Sequence, residues 1–261
     1  MIDLHLASML IAALFGAVIG SFLNVVIFRL PRKITFWRGR SCCPSCGALI
    51  CWWQNIPVLS YILLRGRCGQ CHSSISPRYP LVEVLTAAAF AGWVYRLGLT
   101  IEAAGYIYLT CVLICVLFID WEFQIIPDRL TLPSIVVGLV WAWFTPLSFT
   151  SSLIGVAVGG GGLFLVAMLG DWIFGKESMG GGDIKLAAAL GAFLGWQKVV
   201  LVFFMSALIG AVVSLIWMLI SREMRTKRLI PFGPFLAIAA MVTAAWGRDL
   251  IGWYVRTFWM V

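Results

Sequence analysis

The sequence predicts an all-α, polytopic transmembrane helical bundle of about eight spans, and three observations carry that prediction. Apolar side chains make up 62% of the 261 residues and charged ones only 11%, a balance foreign to soluble globular chains. Apolar windows of roughly 17 to 23 residues, each enough for about 30 Å of hydrocarbon, recur along the chain. All of the 19 Lys and Arg residues except Arg96, Lys198, Arg248 and Arg256 fall in connections or at span ends that alternate crossing assigns to one side. The net charge of +8 therefore reads as topology, and nucleic acid is not an expected partner.

The windows cover approximately 6–28, 80–97, 103–120, 128–146, 152–173, 183–197, 199–220 and 229–247, with Leu250–Val261 left as an interfacial tail. The first lacks a basic start and an Ala-x-Ala site, so it is expected to be a retained span. The connection after it holds Arg29, Arg32, Lys33, Arg38, Arg40, Arg65, Arg67 and Arg78, and the same side receives Arg129, Lys176, Lys185, Arg222, Arg225, Lys227 and Arg228. That side is expected to be cytoplasmic, with both termini outside. Three segments follow: a first span, 1–30; a cytoplasmic Cys-rich domain, 31–79; and a membrane domain, 80–261.

Within span one, Gly16-x-x-x-Gly20 followed by Ser21 and Asn24 predicts a close helix–helix seam with the amide of Asn24 as interhelical glue. The only stretch of soluble character then carries Cys43-Pro-Ser-Cys46 and Cys68-Gly-Gln-Cys71. Two Cys-x-x-Cys pairs can present four thiolates to one tetrahedral zinc. Disulfides are the alternative, disfavoured in a reducing compartment. Cys42, Cys51 and His72 are surplus candidates, and four Cys ligands would leave no open position for catalysis. Asn55–Arg67 is too short to span and is expected to lie on the membrane or against helix ends. Glu83, in the first turn of span two, either answers the helix dipole with Arg78 nearby or has a functional role.

Span three closes at Asp120. Span five is rich in glycine, from Gly155 to Gly162, which points to tight packing or a flexible wall. Span six opens on Gly180-Gly-Gly-Asp183-Ile-Lys185, where three glycines are expected to free the backbone just before the carboxylate. A carboxylate near hydrocarbon is costly and is a functional hypothesis by default. Spans four and five return the chain to the face where Asp120 lies, so Asp120 and Asp183 are expected to meet. Two carboxylates held together divide one proton and can act as general base and acid on a water and a carbonyl; two separate aspartates facing water are the alternative. Asp128 is expected to cap a helix or pair at the surface, and Lys185, two residues from Asp183, to point away from it.

These residues resemble one family closely. Gly20-Ser-Phe-Leu-Asn24 with Arg29 and Pro31, both Cys pairs, Asn55-Ile-Pro-Val-Leu-Ser60, Ile75 to Glu83, Asp120 with Ile126-Pro127-Asp128, and Gly180 to Lys185 together match the type IV prepilin peptidases, membrane aspartic peptidases of the Gly-x-Gly-Asp class. The resemblance covers essentially the whole chain. It implies a bacterial inner-membrane enzyme that cuts the basic leader from prepilins and pseudopilins after a glycine on the cytoplasmic side. It then N-methylates the new N-terminal residue, commonly Phe, with S-adenosylmethionine, in pilus assembly or protein secretion. It implies Asp120 and Asp183 as the catalytic pair, with Gly180, Gly182, Lys185 and Asp128 as motif support. It also ties the Cys loop to methyl transfer, with Glu83, Asn24 and Arg78 as candidates.

Three other readings are weighed beside it. A peptidase without methyltransferase activity explains the same aspartates, and no nucleotide-type glycine fingerprint follows a strand. A proton-coupled transporter would place its carboxylates nearer the midplane. A zinc-bearing scaffold explains the Cys loop and leaves the aspartates without purpose.

Overall fold

The computed structural model describes residues 2–35, 39, 41–175, 179–220 and 231–258, and the chain divides into two units, Met1–Cys115 and Val116–Val261. Arg38, Arg40, Lys176, Arg222, Arg225, Lys227 and Arg228, used above for topology, lie outside the described residues.

In the first unit, α1 (Ile2–Arg29) packs along α3 (Arg78–Leu97). Side-chain-free positions permit this closeness: a Cβ on Gly16 would stand 2.9 Å from the Cα of Ala87, and one on Gly20 2.7 Å from the Cα of Glu83. Asn24 crosses the seam as the glue expected of it, its amide donating to the Tyr79 carbonyl at 3.0 Å. Ala12, Phe90 and Val94 form a buried cluster under Ile19, Ile107 and Cys111. Trp93 stacks on Tyr106 at 4.6 Å, and its indole N–H reaches Thr110 Oγ1 at 3.0 Å. A short α2 (Leu59–Leu63) and a 3₁₀ turn, Trp52–Asn55, lie between the two Cys pairs.

α4 (Ile101–Phe123) carries the chain into the second unit. There α5 (Asp128–Ala142), α6 (Phe149–Val156) and α7 (Gly162–Phe174) precede the long α8 (Gly181–Ile220) and α9 (Gly233–Phe258). A π turn, Ala157–Gly161, joins α6 to α7 without a break. The segment 186–195 of α8 is buried throughout. Against it, Gly155 and Gly191 meet backbone to backbone, so that a Cβ on either would run into the carbonyl of the other. Ser152 Oγ donates to Ala192 O at 2.6 Å, and Trp141 lies over Phe193 at 5.4 Å. Gly155 and Gly159 of span five are therefore packing positions, whereas Gly161 faces open space.

Five helices among the described residues are long and apolar enough to cross a membrane: His5–Arg29, Ile101–Phe123, Phe149–Phe174, Gly181–Ile220 and Gly233–Phe258. Of the remaining sequence windows, 80–97 falls on α3 and 128–146 on the shorter α5. Windows six and seven are the two halves of α8, broken at Gly195, whose φ of 76° suits glycine. The tail read as interfacial continues α9 to Phe258 without interruption.

Candidate active site

The end of α4 and the beginnings of α8 and α9 come together in the second unit. Asp120, 5% exposed, accepts the backbone N–H of Gly233 on Oδ2 at 3.1 Å. Asp183 is the third residue of α8, its N–H bonded to Gly180 O at 3.1 Å. Its Oδ1 is buried with no hydrogen-bond partner among the described residues, and the carboxylate lies within electrostatic reach of Asp120. Ile126 stands between the two helix starts: a Cβ on Gly182 would be 2.9 Å from its Cβ, and one on Gly233 3.0 Å from its Cδ1.

The glycine run does not do what the sequence led one to expect. None of Gly180, Gly181 and Gly182 adopts a positive φ. Gly181 already opens the helix and faces open space, whereas Gly182 is bare because Ile126 leaves no room for a side chain. Proximity, and not backbone freedom, is what glycine supplies here.

Lys185 does turn away from Asp183, and its Nζ meets both oxygens of Asp128 at 2.8 Å. Asp128 is thus a surface-pairing residue that ties the start of α5 to the start of α8.

In the first unit the four cysteines form one group, with the Sγ atoms of Cys43, Cys46, Cys68 and Cys71 all within 4.8 Å of one another. Cys43 and Cys71 are 3.9 Å apart, close to the edge of about 3.8 Å that a tetrahedron of Zn–S bonds near 2.3 Å requires. The two halves repeat each other. Cys43 N bonds Ala48 O as Cys68 N bonds Ser73 O, both at 2.9 Å, and Gly47 and His72 take the same left-handed turn after the second Cys. Backbone N–H groups of Cys46 and then Ser45 pull the Cys43 thiol down, toward the thiolate a metal needs, while the Cys46 thiol beside it is pushed up. All eight cysteines are free thiols, so the disulfide alternative finds no support here. Cys42, Cys51 and His72 stay outside the four-thiol group.

Glu83 accepts the N–H of Val58 on Oε2 at 2.7 Å and a hydrogen bond from Ser21. Val58 sits at φ 61°, a conformation that β-branched residues rarely hold. Glu83 therefore latches the Asn55–Ser60 turn onto α3. Asn24 Oδ1 is buried in the same seam with no hydrogen-bond partner among the described residues, and Arg78 lies over the Tyr79 ring at 5.5 Å. Sequence reasoning missed Gly233 altogether; the Pro231-Phe-Gly-Pro234 cluster at the start of the last helix was the available signal.

Residues 14–97 match the family model for the bacterial peptidase A24 N-terminal domain, and residues 107–215 match that of the type IV leader peptidase family. The chain is 40% identical to the prepilin leader peptidase/N-methyltransferase of Aeromonas hydrophila, over 94% of this chain and 93% of that one. The proteins of the same description from Legionella pneumophila and Pseudomonas aeruginosa are each 37% identical, over 96% of this chain and 95% and 94% of theirs. No solved structure matches the chain.

Proposed function

The chain belongs to the type IV leader peptidase family, and from that premise we propose that it removes the basic leader of prepilins or pseudopilins after glycine and N-methylates the exposed residue. Asp120 and Asp183 are the catalytic pair in this reading. What supports it is that two carboxylates, 63 positions apart by their numbering, lie within electrostatic reach of each other, with Ile126 against the glycines beside them. One carboxylate takes a proton from water as it attacks the scissile carbonyl, while the other gives a proton to the carbonyl oxygen. The site lies where a membrane helix begins, so an apolar substrate helix can stay in lipid while its leader reaches water.

The topology belongs to the same proposal. The chain crosses the bacterial inner membrane eight times, with α3, α5 and each half of α8 among the spans. Both termini lie outside, and the Cys-rich segment 31–79 faces the cytoplasm. Cys43, Cys46, Cys68 and Cys71 hold a structural zinc, whose four-thiolate shell leaves no position for substrate and so shapes the loop rather than the chemistry. S-adenosylmethionine supplies the methyl group when bound. Its transfer is assigned to the first unit, where Glu83 holds the turn beside the Cys loop and Asn24 Oδ1 offers a buried acceptor in the seam of α1 and α3.

The test is leader removal by purified protein in nanodiscs. Asp120→Asn and Asp183→Asn are each expected to abolish it while leaving insertion and methylation of a pre-cleaved pilin intact. Normal cleavage by either variant overturns the aspartyl assignment. Absence of the added methyl mass on wild-type product would leave a peptidase alone.

A further inference from the structure

We infer that Gly233 is the positioning residue of the aspartate pair: its backbone N–H fixes the Asp120 carboxylate, and its bare Cα is what lets α9 approach closely enough to do so. This rests on the reading of Asp120 and Asp183 as the catalytic pair.

The contact joins groups 113 residues apart, so no local turn produces it. Gly233 opens α9, where the first N–H groups have no acceptor within the helix. Phe235 and Leu236 both donate to Phe232 O at 3.1 Å, which closes the first turn, and Pro234 has no N–H to offer. The N–H of Gly233 is therefore the one at this helix start available to Asp120, and the positive end of the helix lies behind it. A negative carboxylate is the group such an end favours.

The steric side is equally specific. A Cβ at position 233 would stand 2.6 Å from Asp120 Oδ2, 3.1 Å from its Cγ and 3.0 Å from Ile126 Cδ1. Asp120 is buried, so its carboxylate cannot swing aside into solvent. Gly182 abuts the same Ile126 from the other helix. One isoleucine thus gauges both approaches: α8 brings Asp183, and α9 brings the donor that orients Asp120. The bond engages one oxygen of Asp120, and among the described residues Asp183 has no comparable donor on its Oδ1.

The decisive experiment replaces Gly233 with glycolic acid in the full-length protein by nonsense suppression. The resulting ester lacks the N–H and adds no atom. In nanodiscs with a prepilin substrate, kcat for leader removal is expected to fall roughly 10- to 100-fold, as for loss of a hydrogen bond to a charged group, with KM within about twofold. The same ester at Ala240, deeper in α9, is expected to leave kcat unchanged. Gly233→Ala keeps the donor and adds the clashing methyl, and is also expected to lower kcat with KM held. An unchanged kcat in the ester variant, or a loss confined to KM, overturns the inference. Retained cleavage by Asp120→Asn would instead sink the underlying assignment, so the two failures are distinguishable.

Discussion

Lys185 reaches both carboxylate oxygens of Asp128 at 2.8 Å, which fastens the start of the helix carrying Asp183 to the start of α5. The side chains are 41% and 52% exposed, so the pair contributes less than about 1 kcal/mol to stability. Its value is geometric, because a displacement of about 1 Å at a catalytic group can cost two orders of magnitude in rate. Lys185→Met and Asp128→Asn are each expected to lower leader cleavage about 3- to 10-fold with a thermal midpoint shifted by no more than a few degrees. The swapped double variant, Lys185→Asp with Asp128→Lys, is expected to recover part of the rate. A swap as slow as the single variants would show that the residues act separately.

Neighbouring glycines give opposite expectations. At Gly182 an added methyl meets the Cβ of Ile126 at 2.9 Å and its carbonyl at 3.2 Å, and backbone cannot step aside cheaply. At Gly181 it meets nothing within 4 Å. Gly182→Ala is therefore expected to reduce cleavage at least about tenfold through misplacement of Asp183, while Gly181→Ala stays within about twofold of wild type. Cleavage rates of the two proteins in the same membrane preparation check this. Equal tolerance would mean that Ile126 does not gauge the helix start.

The four-thiol group predicts a metal content of one zinc per chain, lost in the double variant Cys43→Ser with Cys68→Ser. Together the two changes remove one ligand from each Cys pair, leaving two thiolates that cannot close a tetrahedral shell. Elemental analysis of purified protein reads the metal directly. Methylation of the pilin product is expected to fall more than leader removal, since the loop lies in the first unit and the aspartates in the second. Full zinc content in the double variant would rule out the four-thiolate site.

The sequence carried the helices and the Cys centre because both are written locally. Hydropathy over twenty residues marks a buried or lipid-facing helix, and each Cys-x-x-Cys pair folds its own knuckle, so four ligands converge once two similar turns face each other. Asn24 was legible for the same reason: an amide four residues from Gly20 on an apolar helix has few places to go. What the sequence did not name were particular long-range contacts. Gly182 reads as a flexible residue until Ile126 is seen against it. The partner of Lys185 lies 57 residues away, and the donor to Asp120 is a backbone group that no side-chain pattern announces. The two apolar windows at 183–197 and 199–220 read as separate spans, and α8 is broken near their junction at Gly195, whose φ is 76°.

The latch between Glu83 and Val58 gives the last prediction, and it separates strain from hydrogen bonding. Val58 holds φ 61°, which costs a β-branched residue about 1 to 3 kcal/mol, and the 2.7 Å bond from its N–H to the buried Glu83 carboxylate offsets that cost. Glu83→Ala removes the acceptor and leaves the strained turn unsupported. It is expected to expose residues 55–63 to protease and to depress methylation, while leader removal continues. Val58→Gly accepts the same φ without strain, so adding it to Glu83→Ala is expected to restore part of the protease resistance. It is not expected to restore methylation if the carboxylate itself is required there. Mapping the cleavage sites by mass spectrometry alongside the methyl mass of the pilin product reads both effects on one sample. A double variant no more resistant than Glu83→Ala would show that the conformation at Val58 stores no strain for Glu83 to restrain.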